Sequence, residues 1–244
     1  MLYVVRPSGE TIAFRRDPGE DPVLLVHGFG SDSADTWEAT GWLRALAEAG
    51  RGAVTVDLRG HGASSKPHDV AAYRPSVLAD DLIAVLDAEG LERVDVMGYS
   101  MGSQVARALA AGAPERVRRL VLGGIGAEEQ LRSWGVETIH RVLIEGLDAE
   151  DATATAILRA AASGVGADRE ALAACALGMA SEVPATGPLP MPTLIAVGET
   201  DPLSAGADAL ARALGAAYVS VPKRNHVTTL SARAFKTAVL EFLG

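Results

Sequence analysis

Positive charge is scarce in this chain. Against 31 Asp and Glu stand 22 Lys and Arg, a formal net charge of -9 over 244 residues. Nucleic acid and anionic membrane surfaces are gripped by clustered basic side chains, and no basic run appears anywhere, so neither is expected as a main partner. Cysteine is nearly absent. The single one, Cys175, can form no intramolecular disulfide and no thiolate metal site. In the run Ala173-Ala174-Cys175-Ala176 it reads as a small buried residue of a helix. Long apolar runs are missing too: none approaches the roughly 20 residues needed to span a membrane. Residues 1–6 lack the charged start and apolar stretch of a signal peptide. A cytoplasmic setting with no membrane span is therefore expected, and the oligomeric state is left open.

What is present is core-forming material, 48% hydrophobic, in a length that suits one domain. Short β-branched runs alternate with longer periodic stretches, the pattern of an α/β protein whose parallel sheet is wrapped by helices. Residues 2–5 and 11–14 read as an opening antiparallel hairpin. Strands are expected at 23–26, 54–57, 94–97, 120–123, 193–197 and 218–221. Helices are expected at 37–49, 75–89 and 104–111, with a closing helix at 230–243. From about 127 to 191 only helical periodicity remains, broken at Gly146, Gly164-Gly166 and Pro184-Pro192. A purely helical insert of roughly sixty residues between two sheet strands reads as a small cap over the active site. The division expected is a core of residues 1–126 and 192–244 and a helical cap of 127–191.

The chemistry centres on Gly98-Tyr99-Ser100-Met101-Gly102. A Gly-x-Ser-x-Gly match alone is weak, but this one follows Val94-Asp95-Val96-Met97 and precedes a helical stretch. That strand-turn-helix setting raises a serine hydroxyl above a sheet, with glycines relieving the crowded turn. A serine needs a base to take its proton and an acid to orient the base. Among five histidines, His226 follows a late strand at the carboxyl edge of the sheet, where catalytic side chains gather, and is the expected base. His27 and His61 sit in glycine turns, and His68 and His140 have no context that suggests chemistry. Asp201, just past the strand at 193–197, is the expected acid, with Glu199 its nearest rival. Asp57 is expected to serve its own turn by hydrogen bonding. Two backbone N–H groups should hold the oxyanion: Met101 at the helix start and Phe29 in His27-Gly28-Phe29-Gly30.

Together these segments resemble the α/β-hydrolase family, notably its compact esterase, lactonase and carbon–carbon bond hydrolase branches. The resemblance rests on His27-Gly28-Phe29-Gly30, Asp57-Leu58-Arg59-Gly60-His61-Gly62-Ala63-Ser64, the elbow at 98–102, Gly198-Glu199-Thr200-Asp201 and Asn225-His226. It implies an α/β-hydrolase fold with an eight-stranded, mostly parallel sheet flanked by helices and the cap inserted after the sixth strand. It also implies a Ser-Asp-His triad and no cofactor. Two departures stand out: Ser103 where many relatives place another glycine, and Asn225 where many place a glycine before the histidine. A serine nucleophile sets the chain apart from dehalogenase and epoxide-hydrolase relatives, which need a carboxylate there.

The expected function is hydrolysis of a carboxylic ester or thioester of a small to medium, largely apolar substrate through an acyl-enzyme on Ser100. Cleavage of a lactone or of a carbon–carbon bond would use the same parts. A cofactor-free lyase or oxygenase, or a non-catalytic small-molecule receptor, are the readings from other classes. A pocket lining is expected from His27, Trp42, Trp134, Val142 and Leu143, with Ile139, Ile157 and Leu158 as further apolar candidates. No metal is expected.

Overall fold

The computed structural model describes residues 1–183 and 186–244, so the first two residues of the break expected at 184–192 lie outside the described residues. Eight strands form one sheet: β1 (Leu2–Val5), β2 (Thr11–Asp17), β3 (Glu20–Val26), β4 (Arg51–Val56), β5 (Val94–Tyr99), β6 (Val117–Gly123), β7 (Thr193–Gly198) and β8 (Ala217–Val221). Their spatial order is β1-β2-β4-β3-β5-β6-β7-β8. β2 pairs antiparallel with both neighbours, and every pair from β4 to β8 is parallel. The mostly parallel eight-stranded α/β-hydrolase sheet expected from the sequence is thus the sheet observed.

Alternation along each strand splits the core in two, because successive side chains leave opposite faces of a sheet. On one face Leu24, Val26, Val54, Val56, Val96, Leu120 and Leu122 pack with α2 (Pro75–Ala88) and α3 (Met101–Gly112). On the other, Val23, Leu25, Met97, Val121 and Leu194 pack against Trp42 of α1 (Trp42–Glu48) and Phe235 of α9 (Arg233–Leu243). Both faces are covered, which is why the strands read as unbroken apolar runs.

Three expected helices have different bounds. The stretch expected as one helix at 37–49 is a π-helical turn, Ala34–Glu38, followed by α1; Gly41, at φ 77°, separates them. The closing helix is two, α8 (His226–Leu230) and α9, parted at Ser231–Ala232. The helix expected at 104–111 starts at Met101, directly after the elbow serine. A short helix absent from the sequence reading, α7 (Ala207–Leu214), lies between β7 and β8.

Between β6 and β7 the chain forms α4 (Gln130–Leu143), α5 (Ala152–Ala162) and α6 (Arg169–Ser181). Aspartates begin the last two: Asp151 accepts from Thr153 and Ala154 N–H, and Asp168 from Ala171 N–H, each satisfying donors that a helix start leaves open. Small residues let these helices sit close on the core. A Cβ on Gly30 would lie 2.1 Å from the Ala161 Cβ, and one on Gly178 would lie 2.5 Å from the Val70 carbonyl oxygen. Among the described residues no helix is long and apolar enough to cross a membrane.

Candidate active site

Ser100 sits at the tip between β5 and α3 with φ 54° and ψ −124°, a backbone conformation that side chains rarely tolerate. The turn is closed by Ser100 N–H donating to the Gly123 carbonyl at 2.8 Å and Ser103 N–H to the Ser100 carbonyl at 2.9 Å. Both flanking glycines are required by contact, not by torsion. A Cβ on Gly98 would stand 2.3 Å from the Gly102 carbonyl oxygen, and one on Gly102 would stand 2.1 Å from that of Val26 and 2.4 Å from that of His27. The atoms that a Cβ on Gly102 would meet are backbone of and next to the central strand β3, which has no room to yield. Gly102→Ala is therefore expected to cost about 3 kcal/mol of stability, the upper end of overpacking penalties, measurable by urea denaturation against Gly112→Ala, where a Cβ meets nothing within 4 Å. Ser103, at the first departure, is fully buried and donates its hydroxyl to the Gly123 carbonyl at 2.8 Å. It pins α3 to β6.

His226 and Asp201 meet above the same sheet edge. His226 Nδ1 lies 2.8 Å from Asp201 Oδ2, which also accepts from the Ser204 hydroxyl at 2.7 Å, while Oδ1 accepts from Leu203 N–H at 2.9 Å. Burial pushes the Asp201 carboxyl up, but its hydrogen bond and charge pairing with His226, helped by Ser204 and Leu203, outweigh this and hold it below the usual carboxylate value. An ionised Asp201 can only accept, so Nδ1 of His226 carries a proton and Nε2 is left as the acceptor in the neutral ring. Asn225, the second departure, accepts from Thr228 N–H at 2.9 Å and caps α8. Its φ of −98° asks for no glycine. Glu199, the rival acid, is occupied elsewhere, accepting from Lys223 N–H at 2.8 Å.

Two groups steady His226: Tyr99, which was not expected at this site, and Trp42, which was expected in the pocket lining and not in this role. The Tyr99 hydroxyl donates to the His226 carbonyl, and the two rings lie 5.3 Å apart. Tyr99 is the variable residue of the elbow motif, so nothing in the pattern marked it. Trp42 donates its indole N–H to the Leu230 carbonyl at 2.9 Å, at the end of α8.

His27 and His61 form a brace behind the glycine loop. Leu58 N–H donates to His27 Nε2 at 2.9 Å and Gly30 N–H to His61 Nε2 at 3.0 Å. Both rings must therefore be neutral with the proton on Nδ1, where they donate to the Gly28 and Arg59 carbonyls. Burial agrees, pushing His27 down and His61 to about 3. Asp57 completes the brace, accepting from Ser33 and Ala63 N–H. In consequence Phe29 N–H and Met101 N–H are both free of hydrogen-bond partners among the described residues, the latter because a first-turn N–H has no partner within its helix.

A cavity of about 400 Å³ opens over this arrangement. Ser100, Met101, Phe29 and His226 line it together with Trp134 of α4 and Ile157 of α5. Four residues expected to line it do not. His27 is sealed in the brace. Trp42 is fully buried between Trp37 and Phe235, and Val142 and Leu143 of α4 are buried in the core cluster. Ile139 and Leu158 are likewise buried outside the lining. Leu131, Gln104, Glu128 and Glu129, none of them expected, do line it. His68 and His140 are half exposed, paired with Asp168 and Glu170 and with Glu145. Cys175 is buried 3.7 Å from the Met101 sulfur, and burial raises its thiol pKa far above the ordinary value. Among the described residues no three His, Cys, Asp or Glu side chains gather to hold a metal ion.

A family model described as alpha/beta hydrolase fold matches residues 21–142, half of the chain. A 2-hydroxymuconate semialdehyde hydrolase of Pseudomonas putida is 39% identical over 124 residues, which cover 50% of this chain and 43% of that protein; the chain thus spans less than half the length of this curated relative. Two solved structures match over 100% of this chain and 98% of their own, each at 28% identity. They are a thermophilic esterase from Thermogutta terrifontis, solved with malate bound, at a TM-score of 0.81, and a hydrolase from Pseudomonas aeruginosa PA01 at 0.83.

Proposed function

The chain belongs to the alpha/beta hydrolase fold family, and from that premise we propose that it is a serine hydrolase acting on a carboxylic ester or thioester with a small to medium, largely apolar acyl group. The observation that carries this reading is one cavity lined by the strained Ser100, by His226 on its buried Asp201, and by Phe29 and Met101, whose N–H groups have no hydrogen-bond partner among the described residues. Ser100 Oγ attacks the carbonyl carbon while His226 Nε2 takes the hydroxyl proton. Phe29 and Met101 N–H stabilise the negative oxygen, each donor worth about 3 kcal/mol in the transition state. The bond to the leaving alcohol or thiol then breaks as His226 returns the proton to it. Water, deprotonated by His226, releases the acid and restores Ser100. The segment 127–191 serves as the cap, its α4 and α5 supplying the apolar wall. A volume of about 400 Å³ sits low in the range of small-molecule pockets.

A second reading, hydrolysis of a carbon–carbon bond with the same triad, is favoured by the 39% identity to a 2-hydroxymuconate semialdehyde hydrolase. Two measurements decide. A fluorophosphonate probe should label Ser100 and no other serine, read by mass spectrometry of the modified peptide. A panel of p-nitrophenyl esters from acetate to dodecanoate should give turnover with an optimum at short to medium chains. An unlabelled Ser100 in folded protein overturns the serine-hydrolase reading. Labelling together with turnover of a vinylogous diketone, but of no ester, moves the assignment to carbon–carbon cleavage.

A further inference from the structure

Charge is distributed unevenly around the cavity. Three carboxylates line it, Asp35, Glu128 and Glu129, and no lysine or arginine does among the described residues. Asp35 comes from the π-helical turn after β3, whereas Glu128 and Glu129 come from the segment that enters the cap. Asp35 and Glu128 are exposed, at the rim, and Glu129 is half buried farther in. Glu129 is held there by the start of α4, accepting from Leu131 and Arg132 N–H.

An independent observation concerns Gln104. Gln104, one helical turn past Ser100, lines the cavity at 6% exposure. Its amide oxygen accepts from Arg107 at 3.5 Å, and its amide nitrogen donates to no described residue. Gln104 therefore presents a neutral donor to the cavity, suited to an uncharged oxygen of a substrate. Three cations stand behind the lining rather than in it: Arg107 behind Gln104, Lys236 on the Thr40 carbonyl, and Arg132 on the Ala180 carbonyl.

We infer that this cavity sorts substrates by charge, admitting neutral and positively charged acyl esters and turning away those whose acyl group carries a second carboxylate. The inference rests on the hydrolase reading above. A carboxylate entering between Asp35 and Glu128 meets like charge at the rim, in a chain of net charge -9, and then loses water beside Glu129 with no cation to receive it. A protonated amine meets the opposite field and three carboxylates that can accept its hydrogens.

The test uses three acyl chains of equal length: ethyl hexanoate, ethyl 6-aminohexanoate and monoethyl adipate at pH 7 and low ionic strength, with acid release followed by chromatography. The expected kcat/KM for the adipate ester is at least tenfold below that for hexanoate, and the amino ester equals or exceeds hexanoate. Added 0.5 M salt should shrink the ratio, since screening weakens rim charges; so should Asp35→Asn combined with Glu128→Gln, read as the ratio and not as the basal rate. A purely steric pocket would move with neither. Equal rates for all three esters, or a preference for the adipate ester, overturn the inference while leaving the hydrolase reading intact. If no ester is turned over, the ester-hydrolase reading fails. The charge rule is then read by calorimetry of hexanamide, 6-aminohexanamide and adipamate. Adipamate binding as tightly as hexanamide sinks it.

Discussion

Ser100→Ala is expected to lower kcat/KM for the best p-nitrophenyl ester by about 10⁵-fold or more, the scale on which removal of a serine nucleophile acts, with no loss of stability. Alanine keeps the Cβ, so the strained torsions at this residue stay strained and the fold neither gains nor loses. Ser100→Gly should abolish activity equally but raise stability. A residue at φ 54° and ψ −124° stores about 1–3 kcal/mol of conformational strain that glycine does not feel. Glycine's extra unfolded-state freedom offsets about 0.5–1 kcal/mol of this. The net gain of about 1 kcal/mol corresponds to a Tm rise of about 2–4 °C for a chain of this size. Activity assays with calorimetry on the two variants separate nucleophile from scaffold. If Ser100→Ala retains more than a hundredth of the wild-type rate, the hydroxyl is not the attacking group and His226 must act directly on substrate. If Ser100→Gly melts lower than the wild type, the torsion is not a reservoir of strain.

The same torsion explains what could be read from the amino-acid order and what could not. Buried parallel strands need continuous apolar runs, so the centres of β3, β5, β6 and β7 were visible, and glycine at 98 and 102 marked a turn that no Cβ could enter. The joints were harder. Nothing in residues 37–49 tells a helix from a π-helical turn and a helix meeting at Gly41, because glycine is tolerated inside a helix as well as in a left-handed joint. α7 escaped notice because it is only Ala207–Leu214, bounded on each side by a left-handed glycine, Gly206 and Gly215, and so resembles a loop.

For the site, order along the chain puts Asp201 past the end of β7 and His226 past the end of β8, a matter of topology that strand counting can reach. Which way an apolar side chain faces is not. Trp42, Val142 and Leu143 occupy amphipathic positions equally compatible with a cavity wall and with the core, and the core took all three. Trp134 and Ile157 sit on similar faces and line the cavity. The distinction depends on how α4, α5 and α6 roll over the sheet. That roll is set by contacts such as Gly30 on Ala161, made between residues 131 positions apart. The misassignment of His27 has a different origin. A histidine beside a glycine loop is chemically suited to either substrate or scaffold, and only the Leu58 N–H pointed at its Nε2 decides for scaffold.

Asp201→Asn is expected to lower kcat about 10⁴-fold, more than the loss of one charge would suggest. Asp201 accepts three hydrogen bonds, from His226 and Ser204 on one oxygen and from Leu203 N–H on the other. Asparagine has one carbonyl oxygen. If that oxygen serves Leu203 N–H, the amide NH₂ faces His226 Nδ1 and drives the ring proton onto Nε2, where it cannot take a proton from Ser100. If it serves His226, an NH₂ is forced against Leu203 N–H, donor to donor, at a buried site. Either arrangement damages the base, and the first inverts it. A pH signature accompanies the loss. The Asp201 carboxyl is held below its ordinary value when folded, so its contribution to stability is fully present above the unfolded pKa of about 3.9 and is lost as pH falls through the folded one. Urea denaturation from pH 7 to pH 2.5 should therefore show the wild type losing stability below about pH 4, with one fewer titrating group in Asp201→Asn. A variant with kcat within tenfold of the wild type would mean that His226 is oriented chiefly by Tyr99 and the α8 cap. The acid of this site would then have to be sought elsewhere.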